Sequence, residues 1–130
     1  MDTKELRIGN FLYYDMPLYE GDAPKVVKII RLSKDCIIDE TNKNTVVGNP
    51  ENYKPIQLTE EWLIKFGFVL TPKDKVRSGV AMEYKKKGFK VEISNSGNLY
   101  CKKQKGLLFE SVHQIQNFFF ALTGEELKIN

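Results

Sequence analysis

Apolar residues in the first 58 positions come in short, β-rich runs broken by turn residues. LRIGNFLYY carries a Gly9-Asn10 pair ahead of a strand-like run, and residues 25–32, KVVKIIRL, alternate imperfectly with many β-branched side chains. CIIDE and TVVG follow polar breaks at residues 33–35 and 41–44. Four or five short strands without a helical period predict a small, strongly bent sheet or SH3-like barrel. Pro50 and Pro55 make the stretch into Leu58 an irregular or extended crossing.

The pattern changes at Leu58. In QLTEEWLIKFGF, Thr59 is a natural N-cap, Glu60 and Glu61 suit the positive end of the helix dipole, and Gly67 suits a left-handed terminus. Trp62, Leu63 and Phe66 share one helical face, and Phe68 can fold back on the last turn as in a Schellman ending. After the polar loop TPKDKVRSG, VAMEYKKKG and FKVEIS alternate apolar with charged residues, and Leu99 and Cys101 alternate with Tyr100 and Lys102. That period of two predicts a three-stranded antiparallel meander with one apolar and one charged face.

A closing helix starts after Glu110, with Ser111 and Gln114 as a capping box and Gly124 as its stop. Val112, Ile115, Phe119 and Leu122 draw its core stripe, which Phe118 widens. Three consecutive phenylalanines sweep roughly 300° of a helix at about 100° per residue, so one ring must miss the stripe. That ring is Phe120, which falls with His113, Gln116 and Asn117. The fold class expected is α+β in one domain over residues 1–130: an SH3-like β-barrel module (1–58), then a short helix, the meander and a C-terminal helix (59–130).

Composition narrows the function classes. Hydrophobic residues make up 42% and charged residues 28% of the 130, with no apolar run near the roughly 20 residues that span a bilayer. The acidic, polar start MDTKELRIGN is unlike a signal peptide, so a cytoplasmic protein without a membrane partner is expected. Cys36 and Cys101 alternate with apolar neighbours and read as small buried hydrophobes. With the single histidine they offer no zinc-type spacing, so no metal is expected. The net charge of +3 is unevenly spread: residues 71–105 hold ten basic against three acidic side chains, a net +7, and each flank carries −2. Such a block attracts phosphate-bearing partners, or is simply a solvated lysine-rich hairpin.

The segments TEEWLIKFGF and VHQIQNFFFALTGEEL, with the opening ELRIGNFLYY, resemble a family of small uncharacterised proteins carried by phages and mobile elements of Bacteroidota. The resemblance spans most of the chain and brings no catalytic residues with it. It implies an accessory protein acting on the host cell, in the host cytoplasm, as an inhibitor of defence proteins or a sponge for nucleotide immune signals.

No nucleophile elbow, P-loop, dinucleotide fingerprint or zinc-protease motif is present, and the adjacent carboxylates Asp39-Glu40 and Glu60-Glu61 say nothing about a catalytic cleft. No residue is assigned to catalysis and no cofactor is expected. For binding, Lys85, Lys90 and Lys102 around Tyr100 suit phosphate contact with base stacking. Glu83 and Glu92 share that face and can neutralise it instead. His113, Asn117 and Phe120 form a second candidate surface, where Phe120 lines a pocket, makes a homodimer contact, or packs under the N-terminal strands. Tyr14, next to Tyr13 in the first strand, is a stacking platform or a surface tyrosine, because consecutive strand residues face opposite ways. The leading expectation is a non-enzymatic binder of a small phosphorylated, nucleotide-like ligand. The alternative is a module that binds nucleic acid or a host protein.

Overall fold

The structure is a computed structural model and describes residues 2–15, 24–41, 48–102 and 107–129. It is mixed α+β, with two antiparallel sheets and two α-helices. The first sheet contains β1 (Phe11–Tyr14), β2 (Lys25–Ser33), β3 (Cys36–Asp39) and β4 (Tyr53–Lys54) in the order β3-β2-β1-β4. Helix α1 (Glu60–Lys65) leads to the second sheet, made of β5 (Val69–Leu70), β6 (Val80–Lys86), β7 (Phe89–Ser94), β8 (Leu99–Cys101) and β9 (Leu108–Phe109), paired in sequence order. Helix α2 (Val112–Thr123) closes the chain.

Among the described residues the first sheet stays open, with β3 and β4 as its edges, and does not form the closed barrel expected from the sequence. Its curl is nonetheless strong enough for the Tyr53 hydroxyl on β4 to donate to Asp39 Oδ2 on β3 at 2.5 Å. A side-chain hydrogen bond thus links edges that a barrel would join by a backbone ladder. Gly48 lies against β3, where an added Cβ would sit 1.7 Å from the Ile37 carbonyl oxygen. Only glycine fits there. Gly48 ends the TVVG strand expected from the sequence, whose other residues, 45–47, lie outside the described residues.

Strand β1 serves two cores. Phe11 and Tyr13 pack against a large cluster around Trp62, Phe66, Phe89, Val91, Ile115 and Phe119. Leu12 and Tyr14 face a smaller one with Val27, Ile29, Ile37 and Tyr53. Alternation along one strand therefore accounts for both tyrosines as half-buried core-edge residues. Within the large cluster, backbone bonds tie the segment before α1 to the start of α2: Leu58 N–H donates to Glu110 O at 3.0 Å and Val112 N–H to Ile56 O at 2.8 Å.

Helix α1 ends as its glycine predicts. Gly67 has φ 85°, its N–H bonds Ile64 O, and Phe68 N–H bonds Leu63 O, which is the Schellman pair. Its start differs from expectation, since Thr59 makes no side-chain cap bond. In α2, Ser111 Oγ accepts from Gln114 N–H at 3.4 Å, whereas the Gln114 side chain accepts from Glu110 N–H rather than from Ser111. The helix stops at Gly124, φ 74°.

Three corrections concern extent and burial. In place of the three-stranded meander expected, the second sheet has five antiparallel strands, because the two-residue strands β5 and β9 add to its edges. The crossing between Pro50 and Pro55 contains β4, which pairs with β1. Leu122, expected in the core stripe, is 53% exposed; the chain turns at Gly124 and buries Leu127 in the large cluster instead. Cys101 lies in the large cluster, and Cys36 is half-buried, its Sγ accepting from Gly48 N–H at 3.2 Å. No described helix is long and apolar enough to cross a membrane.

Candidate functional site: a lysine row and a separate cleft

The apolar face of the second sheet, with Tyr84, Phe89, Val91 and Cys101, meets α2 through Ile115 and Phe119. The side chains of Lys85, Lys90, Tyr100 and Lys102 alternate onto the other face. The sheet therefore separates these residues from His113, Asn117 and Phe120 on α2, and from Tyr14 in the smaller core. The eight candidate residues do not form one site.

On the outer face the register places like charges opposite each other. Lys85 faces Lys90 across β6 and β7, and Lys102 N–H donates to Lys90 O at 3.2 Å, so three lysines run in a row across β6, β7 and β8. The next row is Glu83, Glu92 and Tyr100. Like charges in register repel, and neighbouring cations offset this. Lys102 reaches over β7 to Glu83 at 2.9 Å. Arg77 holds Glu92 through two bonds of 2.8 and 3.0 Å. Both carboxylates are buried, at 1% and 4% exposure, an unusual depth for glutamates on the outer side of a sheet.

Burial alone would raise the Glu83 carboxyl, but the hydrogen bond from Lys102, together with the charges of Lys102 and Lys90, holds it below its ordinary range. The Arg77 guanidinium is raised by its bond to Glu92. Lys85 and Lys90 make no ion pair among the described residues. Beside them lies a recess of about 420 Å³ walled by Arg77, Val80, Glu92, Ser94, Tyr100 and Lys102. It combines an aromatic ring with cations, which is the chemistry needed to stack a base and hold a phosphate.

The polar face of α2 is occupied. Gln116 is fully buried; its Oε1 accepts from Phe11 N–H at 2.9 Å and its Nε2 donates to Gly9 O at 3.0 Å. Asn117 Oδ1 accepts from Asn10 Nδ2 at 2.8 Å and from Arg7 at 3.3 Å, and its Nδ2 donates to Glu5 O at 2.9 Å. The Arg7 guanidinium sits 3.8 Å from the centroid of Phe120 and also pairs with Glu126. Phe120, 38% exposed, is thus a platform for Arg7, packed beneath the N-terminal segment. The sequence signal for Gln116 was its place beside Asn117 and His113 on that face; nothing local told that a strand would dock there.

His113 is 6% exposed, its Nδ1 is buried without a hydrogen-bond partner among the described residues, and burial pushes its pKa down against the opposing pull of Glu5. It lines an open cleft of about 810 Å³ with Glu5, Pro55, Gln57, Glu110 and Phe118 among the walls. Among the described residues, no basic side chain other than the imidazole lines it. No cluster of three or more metal-ligating side chains occurs among the described residues. Compared with protein-family models, curated proteins and solved structures, the chain matches none of them.

Proposed function

We propose that this protein is a non-enzymatic binder of a small phosphorylated ligand, taken up on the outer face of the second sheet. The observation that carries the reading is the row Lys85, Lys90 and Lys102 beside Tyr100, in which the two facing lysines have no carboxylate partner among the described residues. Phosphate would lie over the lysine row, and a base or other flat group would stack on Tyr100. Glu83 and Glu92 limit the affinity by engaging Lys102 and Arg77, so a ligand that adds charge beyond one phosphate has the advantage. Tyr14, His113, Asn117 and Phe120 have no part in this site. The likeness to phage-borne proteins gives the reading its setting: sequestration of a nucleotide signal of host immunity in the host cytoplasm.

Mass spectrometry of small molecules released by heat from protein purified out of cells with active defence signalling tests this. An intact phosphorylated molecule in near-stoichiometric amount is expected. Release of a converted product would replace sequestration with turnover, and release of nothing, with no thermal shift across a panel of cyclic and ADP-ribose-type nucleotides, would overturn the reading.

A second reading, binding to a host protein, draws on a different feature. Strand β5 is an edge of the second sheet, and Val69 and Leu70 on it, with Ile64 on α1, are 50–62% exposed apolar residues. Nucleic-acid binding by the lysine row would weaken far more steeply with salt than binding of a small ligand, because many phosphate contacts release counterions together.

A further inference from the structure

Arg77 uses only part of its hydrogen-bonding capacity. It leads the turn into β6, where Val80 N–H bonds Arg77 O at 3.4 Å around Gly79, φ 88°. From there its guanidinium reaches Glu92 on β7, with Nε donating to Oε2 at 2.8 Å and Nη2 to Oε1 at 3.0 Å. These bonds engage one edge of the guanidinium plane and leave the other edge, with its parallel N–H groups on Nη1 and Nη2, unused. That free edge has no partner among the described residues, and the side chain is 65% exposed. Because Glu92 is itself buried, the guanidinium is held in one plane and the free fork is oriented before any ligand arrives. Tyr100 lies beside it: Glu92 and Tyr100 are partners across β7 and β8, and Arg77, Tyr100 and Lys102 wall the same recess. Lys102 follows Tyr100 by two residues, roughly 7 Å of extended backbone. A flat ring on Tyr100 thus meets a two-donor fork on one side and, a sugar's length away, the lysines.

We propose that Arg77 selects the base, and that the ligand of this face is a guanine nucleotide with more than one phosphate. This rests on the lysine row being a phosphate site. Guanine presents two adjacent acceptors, O6 and N7, which match a fork that only donates. Adenine places its N6 amino group where O6 would be, so the fork meets a donor there. Glu92 is a positioning residue, since it sets the guanidinium without touching the ligand. More than one phosphate follows from the row itself, in which Lys85, Lys90 and Lys102 stand on three neighbouring strands about 5 Å apart.

Isothermal titration calorimetry of the full chain with GTP, ATP, 7-deaza-GTP and inorganic tripolyphosphate separates base from phosphates. Tripolyphosphate reads the lysine row alone. GTP should bind at least about 5-fold more tightly than ATP, the low end for a bidentate base contact, and 7-deaza-GTP, which lacks the N7 acceptor, should lose most of that preference. Arg77→Lys keeps a positive charge beside Glu92 but loses the fork, so it should bind GTP and ATP alike and tripolyphosphate as the parent does. The nucleotide comparison on the parent needs no variant and decides the question even where Arg77→Lys fails to fold. Equal affinity for GTP and ATP with tripolyphosphate still bound, or a GTP preference that survives Arg77→Lys, would overturn the base selection and leave the phosphate site standing. Absence of heat with tripolyphosphate and every nucleotide would overturn both.

Discussion

Gln116 is the side chain that fastens the N-terminal strand to α2, and replacing it by leucine isolates that role. Leucine nearly fills the same volume, so no large cavity confounds the result. The Phe11 N–H loses the Oε1 acceptor at 2.9 Å and the Gly9 carbonyl loses the Nε2 donor at 3.0 Å. Both backbone groups are only part-buried, which puts each loss at the low end of the range for unmet polar groups, about 1 kcal/mol. Gln116→Leu should therefore lower stability by about 2 kcal/mol in urea denaturation, with an unchanged m-value. Gln116→Ala should cost more, by the cavity it leaves at a fully buried position. Native-state hydrogen exchange should show Phe11 among the amides most accelerated by the leucine variant. If Gln116→Leu stays within about 0.5 kcal/mol of the parent, the two bonds do not hold β1 in place.

The consecutive phenylalanines should separate in calorimetric melting: Phe119→Ala, in the core, should cost about 3–5 kcal/mol, and Phe120→Ala, which removes a half-exposed ring under Arg7, about 0.5–1 kcal/mol. Burial, with a hydrogen bond and negative charge from Glu60, pushes the Tyr84 hydroxyl up to about 12. Ultraviolet titration should thus show an ionisation above the ordinary tyrosine range that a Tyr84→Phe variant lacks, and the Tyr84 contribution to stability should be lost as pH rises above that range. The depressed Glu83 carboxyl works in the other direction, since its folded form holds the proton less tightly than the unfolded chain. Its contribution is present above the ordinary glutamate pKa and lost as pH falls through the lower, folded value; Lys102→Met should flatten that part of the acid-unfolding curve. His113 should titrate by NMR below the usual histidine range, and stability should drop as pH falls past that range because the unfolded chain takes the proton first.

Elements whose signal is local were legible in the sequence. The Schellman turn at Gly67, the cap at Ser111, the stop at Gly124 and the alternation of β6, β7 and β8 depend on neighbours a few residues away. Strands β4, β5 and β9 are two residues each and exist only through their partners, so no periodicity marks them. The same holds for burial. Leu122 sits on the apolar stripe by count, yet the core is closed by Leu127 after the chain reverses. Glu83 and Glu92 look like surface charges in a strand pattern, and only the arrival of Lys102 from β8 and Arg77 from the preceding loop buries them. Of the candidate residues, the lysines and Tyr100 were found together because they share strand alternation; the α2 residues were read as a second surface and Tyr14 as a further one, and the second sheet stands between them and the lysines.

Isothermal titration calorimetry at low ionic strength with a panel of cyclic and ADP-ribose-type nucleotides, run on the parent chain and on a Lys85→Glu/Lys90→Glu variant, most directly tests phosphorylated-ligand binding. These two lysines make no ion pair among the described residues, but the Lys90 charge favours the buried Glu83 carboxylate, so circular dichroism and thermal melting must first show that the variant keeps its fold. Saturable heat with at least one nucleotide, weakened at least about 10-fold in the variant and by added salt, is the predicted result. No heat across the panel, or equal affinity in the charge-reversed protein, would contradict it.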